Sequence, residues 1–265
     1  MARWQPSPFL TLSAGLHAAA GVGLLVDPAG WPVAVGALLA NHAALTAAGL
    51  LPRSRLLGPN LTRLPPAAVA RREIALTIDD GPDPAVTPRV LGLLDAADAR
   101  ATFFCIGRRA AAHPGLVRDI VARGHAVENH SEHHWKRFST LGYAAMRAEV
   151  AAAQASLGAL AGRAPRFFRA PAGLRNPFLD PALAHLDLRL AAWTRRAYDT
   201  RNGNPQQVLA RLGDGLAAGD ILLLHDGNAA RTPDGQPVIL AVLPPLLARI
   251  RAAGLTPVTL AEGCQ

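Results

Sequence analysis

The sequence predicts an α/β chain: a mostly parallel β-sheet, closed or nearly closed into a barrel, preceded by two transmembrane helices. Three observations predict it. Two long uncharged runs open the chain, short apolar strands alternate with helical patterns from residue 73 onward, and the side chains able to do chemistry gather at strand ends.

The first run extends from Pro8 to Val26 and the second from Trp31 to Leu51. Each is long enough to cross roughly 30 Å of hydrocarbon as a helix. Between them lies "DPAG", a turn-forming tetrapeptide. Gly15 and Ala19, and again Gly36 and Ala40, are four residues apart, which lets two helices approach closely in lipid. His17, Asn41 and His42 interrupt the apolar pattern and are expected to pair across the hairpin. A cleaved signal peptide would account for the first run and leave the second unexplained. Two buried helices of a soluble domain would be expected to keep a polar face, and neither run has one. Residues 1–52 therefore read as a transmembrane hairpin in a bacterial-type inner membrane, with membrane lipid as a partner. Arg3 precedes the hairpin, Arg53, Arg55, Arg63, Arg71 and Arg72 follow it, and the connecting turn carries only Asp27. By the positive-inside rule both ends, and the domain that follows, face the cytoplasm.

Residues 53–72 are polar and Pro-bearing ("LPRSRLLGPNLTRLPP" spans most of them) and read as a juxtamembrane linker. The catalytic domain is expected over 73–262. About seven strands are predicted there, at "EIALTI" (73–78), "ATFFCI" (101–106), "HAVEN" (125–129), "RFFRA" (166–170), "LRLAAW" (188–193), "DILLLH" (220–225) and "PVTL" (257–260). The intervening helices carry their own signals. "HPGLVRDIVARG" has Pro114 in the first turn and Gly124 as a stop, and "NPQQVLARL" has Asn204 as cap with Pro205 behind it. Repeated strand–helix–strand units imply parallel pairing, with active groups at the C-terminal ends of the strands.

Composition narrows the function. Lys plus Arg total 27 against 19 Asp plus Glu, a net charge of +8, and Lys136 is the only lysine. The arginines are scattered and aromatics are few, a pattern that argues against nucleic acid as a partner. Cys105 and Cys264 form no disulfide framework.

Asp79 and Asp80 follow the first strand, His130 and His134 the third, Arg169 ends the fourth, and His225 with Asp226 ends the sixth. They converge on one rim. In "NHSEHHW" the four-residue spacing of His130 and His134 puts both imidazoles on one face of a helical turn, and a carboxylate from another strand can complete a facial His-His-Asp set. His133 could compete as a ligand and is expected on the groove wall instead. Nitrogen and oxygen donors with no thiolate suit Zn2+ best among divalent metals, with Co2+, Mn2+ or Ni2+ as substitutes.

"TIDDGP", "HSEHH", "RAPAG" and "ILLLHD" resemble, in order and spacing, the motifs of the metal-dependent polysaccharide deacetylases, the carbohydrate esterase family 4 with a chitooligosaccharide deacetylase-like domain. The resemblance covers roughly 72–262 and leaves out the hairpin. It implies a distorted (β/α) barrel that hydrolyses an N-acyl or O-acyl group on a sugar. It assigns Asp80, His130 and His134 as metal ligands, Asp79 as general base and His225 as general acid. Arg169 would hold Asp79 ionised, while Pro171 and Gly173 would shape a loop of the substrate site.

One motif departs from the family pattern. Where the family often has Asp-x-x-Asp-Trp after a tryptophan, "WTRRAYDT" has Arg196 at the first position and Thr200 at the last. Asp199 survives, to orient His225 or to pair with Arg169. With that tryptophan missing, Trp135, Phe138 and Tyr198 are the candidate sugar-stacking surfaces. The expected substrate is an acylated amino-sugar glycan, and a cytoplasmic domain near the bilayer favours a lipid-linked sugar. Two other functions share these motifs: hydrolysis of a non-sugar amide or imide, and a catalytically silent carbohydrate-binding membrane protein. Asp79→Asn separates them, because binding survives the change and hydrolysis does not.

Overall fold

The computed structural model describes residues 4–265, so Arg3, used above for orientation, lies outside the described residues. Among those residues eight strands form one curled sheet: β1 Glu73–Asp79, β2 Thr102–Cys105, β3 Ala126–Asn129, β4 Phe167–Phe168, β5 Arg189–Leu190, β6 Arg195–Arg196, β7 Ile221–His225 and β8 Thr256–Val258. Their order is β5-β4-β3-β2-β1-β7-β6, and β8 pairs with the first half of β1. Every ladder is parallel. No ladder joins β5 to β6 among the described residues, so the barrel is distorted and open along that seam.

Seven of these strands fall within or beside the predicted segments, and β6 is the addition. At two residues it is too short to show an alternation that sequence patterning could register. The last strand is also shorter than expected. Thr259 leaves it to cap the helix Leu260–Gly263, with Glu262 completing the capping box.

The period of two along the central strands decides which side chains face the site. Ile74, Leu76 and Ile78 of β1, with Leu222 and Leu224 of β7, face outward into one buried cluster with the surrounding helices. Ala75 of β1 and Ile221 and Leu223 of β7 belong to a second cluster on the inner face, with Phe104 and Trp193. Asp79 and His225 continue the inner set and emerge where the strands end.

The uncharged runs form α1, Pro8–Val26, and α2, Trp31–Leu50. Both are long and apolar enough to cross a membrane, and most of their side chains are exposed. Their polar residues pair across the hairpin as expected: His17 Nε2 lies 3.2 Å from His42 Nε2, and Asn41 Nδ2 donates to Ser13 Oγ at 2.8 Å.

The stretch 53–72 is not a loose linker. Leu57, Leu64 and Ala68 are fully or almost fully buried, and α3, Pro66–Ala70, packs on β1. Leu61 adds a β-bridge beside β5 at Ala191, Arg63 pairs with Asp220, and Asn60 donates to the carbonyls of Pro52 and Ser54. An apolar residue at every third or fourth position (Leu57, Leu61, Leu64, Ala68) carries this packing, beneath the prolines and arginines that made the stretch read as linker.

Candidate active site

The register β1 to β7 places Asp79 directly beside His225. Two charged side chains at adjacent strand ends must each find a counterpart, and each has one. Asp79 Oδ1 accepts from Arg169 Nη1 at 2.7 Å. Arg169 leaves the end of β4, is 1 % exposed, and lies 4.1 Å from the Phe104 ring centroid. The same nitrogen donates to Thr77 Oγ1 at 2.7 Å, and the rest of the guanidinium is spent on the carbonyls of Ala191 and Ala192. Burial pushes Arg169 down from its ordinary value while Asp79 pulls it back up, so the pair is a buried ion pair with most donors satisfied.

His225 is fixed on the other side of Asp79. Asp199 accepts from both its Nδ1 and its backbone N–H, each at 2.8 Å. Of the two partners open to Asp199, the structure gives His225. Burial alone would lower the imidazole, but the Asp199 carboxylate, with Asp79 and Asp80 nearby, raises it to about 9. It is therefore protonated at neutral pH.

Asp80, His130 and His134 bring ligand atoms within 4.8 Å of one another. Both His Nε2 atoms are 3.2 Å from Asp80 Oδ1. His130 donates from Nδ1 to the Arg169 carbonyl at 2.8 Å, which leaves Nε2 as the lone-pair nitrogen facing the cluster. Burial and the neighbouring His130 push His134 down to about 4, so that ring is neutral. Asp80 Oδ1 is buried without a hydrogen-bond partner, and two imidazole nitrogens facing an unpartnered carboxylate oxygen suit a divalent ion.

The histidine pair is not carried by a helical turn. Residues 130–135 form a loop, with Ser131 at φ 64° and His134 at φ 54°. Ser131 Oγ accepts from the His134 N–H at 3.0 Å, and Asn129 Oδ1 from the Ser131 N–H at 2.9 Å. Short polar side chains thus do the positioning that helical spacing was expected to do. His133 turns away and is held by Glu149 through both its ring and its backbone N–H.

The groove over these residues is a cavity of about 340 Å³ lined also by Gly173, Trp193, Arg196 and Lys136. Gly173 has φ +75°, and a Cβ there would come within 2.5 Å of the Trp193 ring. Pro171 is buried beneath the turn and does not line the groove. Neither does Trp135, whose ring stacks on His133 at 4.9 Å, nor Phe138, which is core and packs on Phe168. Tyr198 is half exposed and lines the neighbouring cavity rather than the groove. The expectation of stacking walls from Trp135 and Phe138 fails because other rings already occupy them. Asp226 also points away, into Thr87 Oγ1 at 2.5 Å.

Two participants were missed in the sequence. Asn228 Nδ2 donates to Asp80 Oδ2 at 3.1 Å, and Arg109 Nη1 to the Asp80 carbonyl at 2.9 Å. Asn228 lies two residues past the "HD" pair, but neither residue falls in a spacing that signals ligation.

A protonated histidine and an arginine-clamped carboxylate at adjacent strand ends, above a three-donor cluster, define a hydrolase built on a (β/α) barrel. Residues 67–191 match the family described as polysaccharide deacetylase. A peptidoglycan-N-acetylglucosamine deacetylase of Bacillus cereus is 32 % identical over 196 residues, covering 71 % of this chain and 86 % of the relative. A chitooligosaccharide deacetylase of Azorhizobium caulinodans is 34 % identical over 155 residues, covering 58 % and 73 %. Among solved structures, the Bc1960 peptidoglycan N-acetylglucosamine deacetylase superposes with a TM-score of 0.70 at 25 % identity, covering 78 % of this chain and 92 % of that one. The chain belongs to the polysaccharide deacetylase family, hydrolases of non-peptide C–N bonds for which a divalent metal is the norm.

Proposed function

We propose that the chain removes an N-acyl group, acetyl first among them, from an amino sugar in a polysaccharide, oligosaccharide or lipid-linked glycan. The observation that carries this reading is the pairing of Asp79 with Arg169 and of His225 with Asp199 on either side of one ligand cluster. Asp80, His130 and His134 would hold a divalent ion, Zn2+ by preference. Such an ion would supply Lewis-acid polarisation of the acyl carbonyl and of the attacking water.

The chain's own residues account for the proton transfers. Asp79, held in place by Arg169, accepts a proton from the water as its oxygen adds to the acyl carbon. His225, protonated and held by Asp199, delivers a proton from Nε2 to the sugar nitrogen as the C–N bond breaks. One water is consumed, and a carboxylic acid and a free amine leave. Asp79 can act only while unprotonated and His225 only while protonated, and Asp199 favours the protonated His225.

The hairpin supports a place in a cell membrane, and the arginines that follow it support a cytoplasmic active site. On that side lipid-linked amino sugars are within reach. The test uses the full chain in detergent with Zn2+ and N-acetylchitooligosaccharides, scoring free acetate. Acetate release that disappears in Asp79→Asn supports the reading. Binding of the glycan with no release in the wild type would refute it and leave a silent binding protein.

A further inference from the structure

Beside the catalytic groove lies a second cavity of about 660 Å³, between the chain leaving α2 (Leu51 to Leu56) and the β6 segment. Trp193 and Arg196 line both spaces, so the two adjoin. The charge of this second cavity is one-sided. Arg53, Arg55 and Arg196 line it, and among the described residues none of them has a carboxylate within 4.0 Å. Among the described residues most arginines lack an acid partner, Arg63, Arg71, Arg123, Arg169, Arg195 and Arg249 being the exceptions, so what sets Arg53, Arg55 and Arg196 apart is that they share one cavity.

Arg53 spends one nitrogen on the Thr194 carbonyl and Arg55 one on Thr62 Oγ1, which leaves most of their donors free. Arg196 is held between the rings of Trp193 and Tyr198, at 5.2 Å and 5.0 Å from their centroids, and its Nε is buried without an acceptor. A buried guanidinium N–H left unpaired is costly, and a phosphate oxygen is the acceptor whose geometry suits several such forks at once. On the groove side Lys136 and Arg201 add two more cations without acids, while Asp79 is already paired with Arg169. Two of the candidate aromatic surfaces for a neutral glycan are withdrawn, Trp135 under His133 and Phe138 in the core.

We propose that this arginine-lined cavity binds the phosphate or diphosphate of a phosphate-linked amino sugar whose acyl group lies in the adjoining groove. The proposal rests on the deacetylase reading and names its substrate class. A lipid carrier and a nucleotide both present this chemistry at the sugar.

The first measurement is calorimetric titration of inorganic diphosphate into the full chain in detergent, stripped of metal so that the ligand cluster cannot contribute. Binding that weakens at least tenfold in Arg53→Gln/Arg55→Gln is expected. No binding, or equal binding by the variant, overturns the proposal. The second measurement compares kcat/KM of the Zn2+-loaded enzyme on farnesyl-diphosphate-linked N-acetylglucosamine, UDP-N-acetylglucosamine and neutral N-acetylchitotetraose. At least one phosphate-bearing substrate should exceed the neutral tetramer tenfold or more, and the double variant should reduce that ratio about tenfold through KM. Preference for the farnesyl compound identifies a lipid source, and preference for the UDP sugar a nucleotide source. Turnover of the tetramer with no phosphate preference refutes the phosphate site and leaves the deacetylase reading intact. No turnover of any substrate refutes the deacetylase reading, while the diphosphate titration still decides the site.

Discussion

Asp199→Asn is the most informative single change, because Asp199 touches neither the ligand cluster nor Asp79 and acts only through His225. Asp199, with Asp79 and Asp80 nearby, raises that imidazole from 6.5 to about 9 against the opposing pull of burial, a difference worth about 3 kcal/mol at roughly 1.4 kcal/mol per tenfold. With the Asp199 carboxylate gone, only Asp79 and Asp80 oppose burial, and the imidazole falls back toward its ordinary value. At pH 7.5 a full return to 6.5 would cut the protonated fraction from nearly all to roughly one-tenth, so deacetylation should fall by up to about tenfold from protonation alone. The loss should grow with pH until the wild type also begins to deprotonate near 9. Acetate release measured from pH 5.5 to 10 should therefore show the alkaline limb of kcat/KM moving well below 9 in the variant. Stability carries the same signature. The folded-state value lies above that of a free imidazole, so the pair's stabilisation is complete below about 6.5 and is lost as pH rises through about 9. The melting-temperature gap between wild type and variant should accordingly be widest near pH 6 and close toward pH 10. An alkaline limb still near 9 in the variant, or a loss of rate independent of pH, would refute the role given to Asp199.

Arg169→Gln should cost about 3–5 kcal/mol of stability by leaving Asp79 buried without its cation, read as a lower denaturation midpoint, and should abolish acetate release. Asn228→Ala frees Asp80 Oδ2 and should weaken Zn2+ binding about 10- to 100-fold in a competitive chelator titration, with little change in melting temperature of the metal-free protein. Leu64→Ala should cost about 2–5 kcal/mol, which equilibrium unfolding will show, whereas a free linker would tolerate it.

Much of the fold was legible because it obeys simple periodicities. The uncharged runs ended within a residue or two of α1 and α2, and alternation located the strands because β1 and β7 keep opposite faces for opposite purposes. That His130 and His134 gather with a strand-end aspartate was legible from donor chemistry, and the family motif pointed to Asp80. What was not legible depended on contacts distant in sequence or on conformations without a period. The loop that holds His130 and His134 relies on left-handed residues braced by Ser131 and Asn129. Trp135 looked available until Glu149, sixteen residues beyond His133, fixed the ring that covers it. The 53–72 stretch hid a sparse apolar stripe under residues usually found in tethers.

That stripe has a mechanical consequence. A free chain of twenty residues would let its ends wander roughly 25 Å, and a hydrolase on such a leash would sample many heights and tilts. Here the Gly49 carbonyl accepts from the Arg175 N–H, Arg175 reaches back to the Ser54 carbonyl, and Pro52 packs at Gly173 in the rim of the groove itself. The hairpin and the groove wall are thus tied by direct contacts. With the hairpin seated in a bilayer, these contacts would favour one height and one tilt of the groove, and its search for substrate would become a two-dimensional one, run by diffusion in the plane of the membrane.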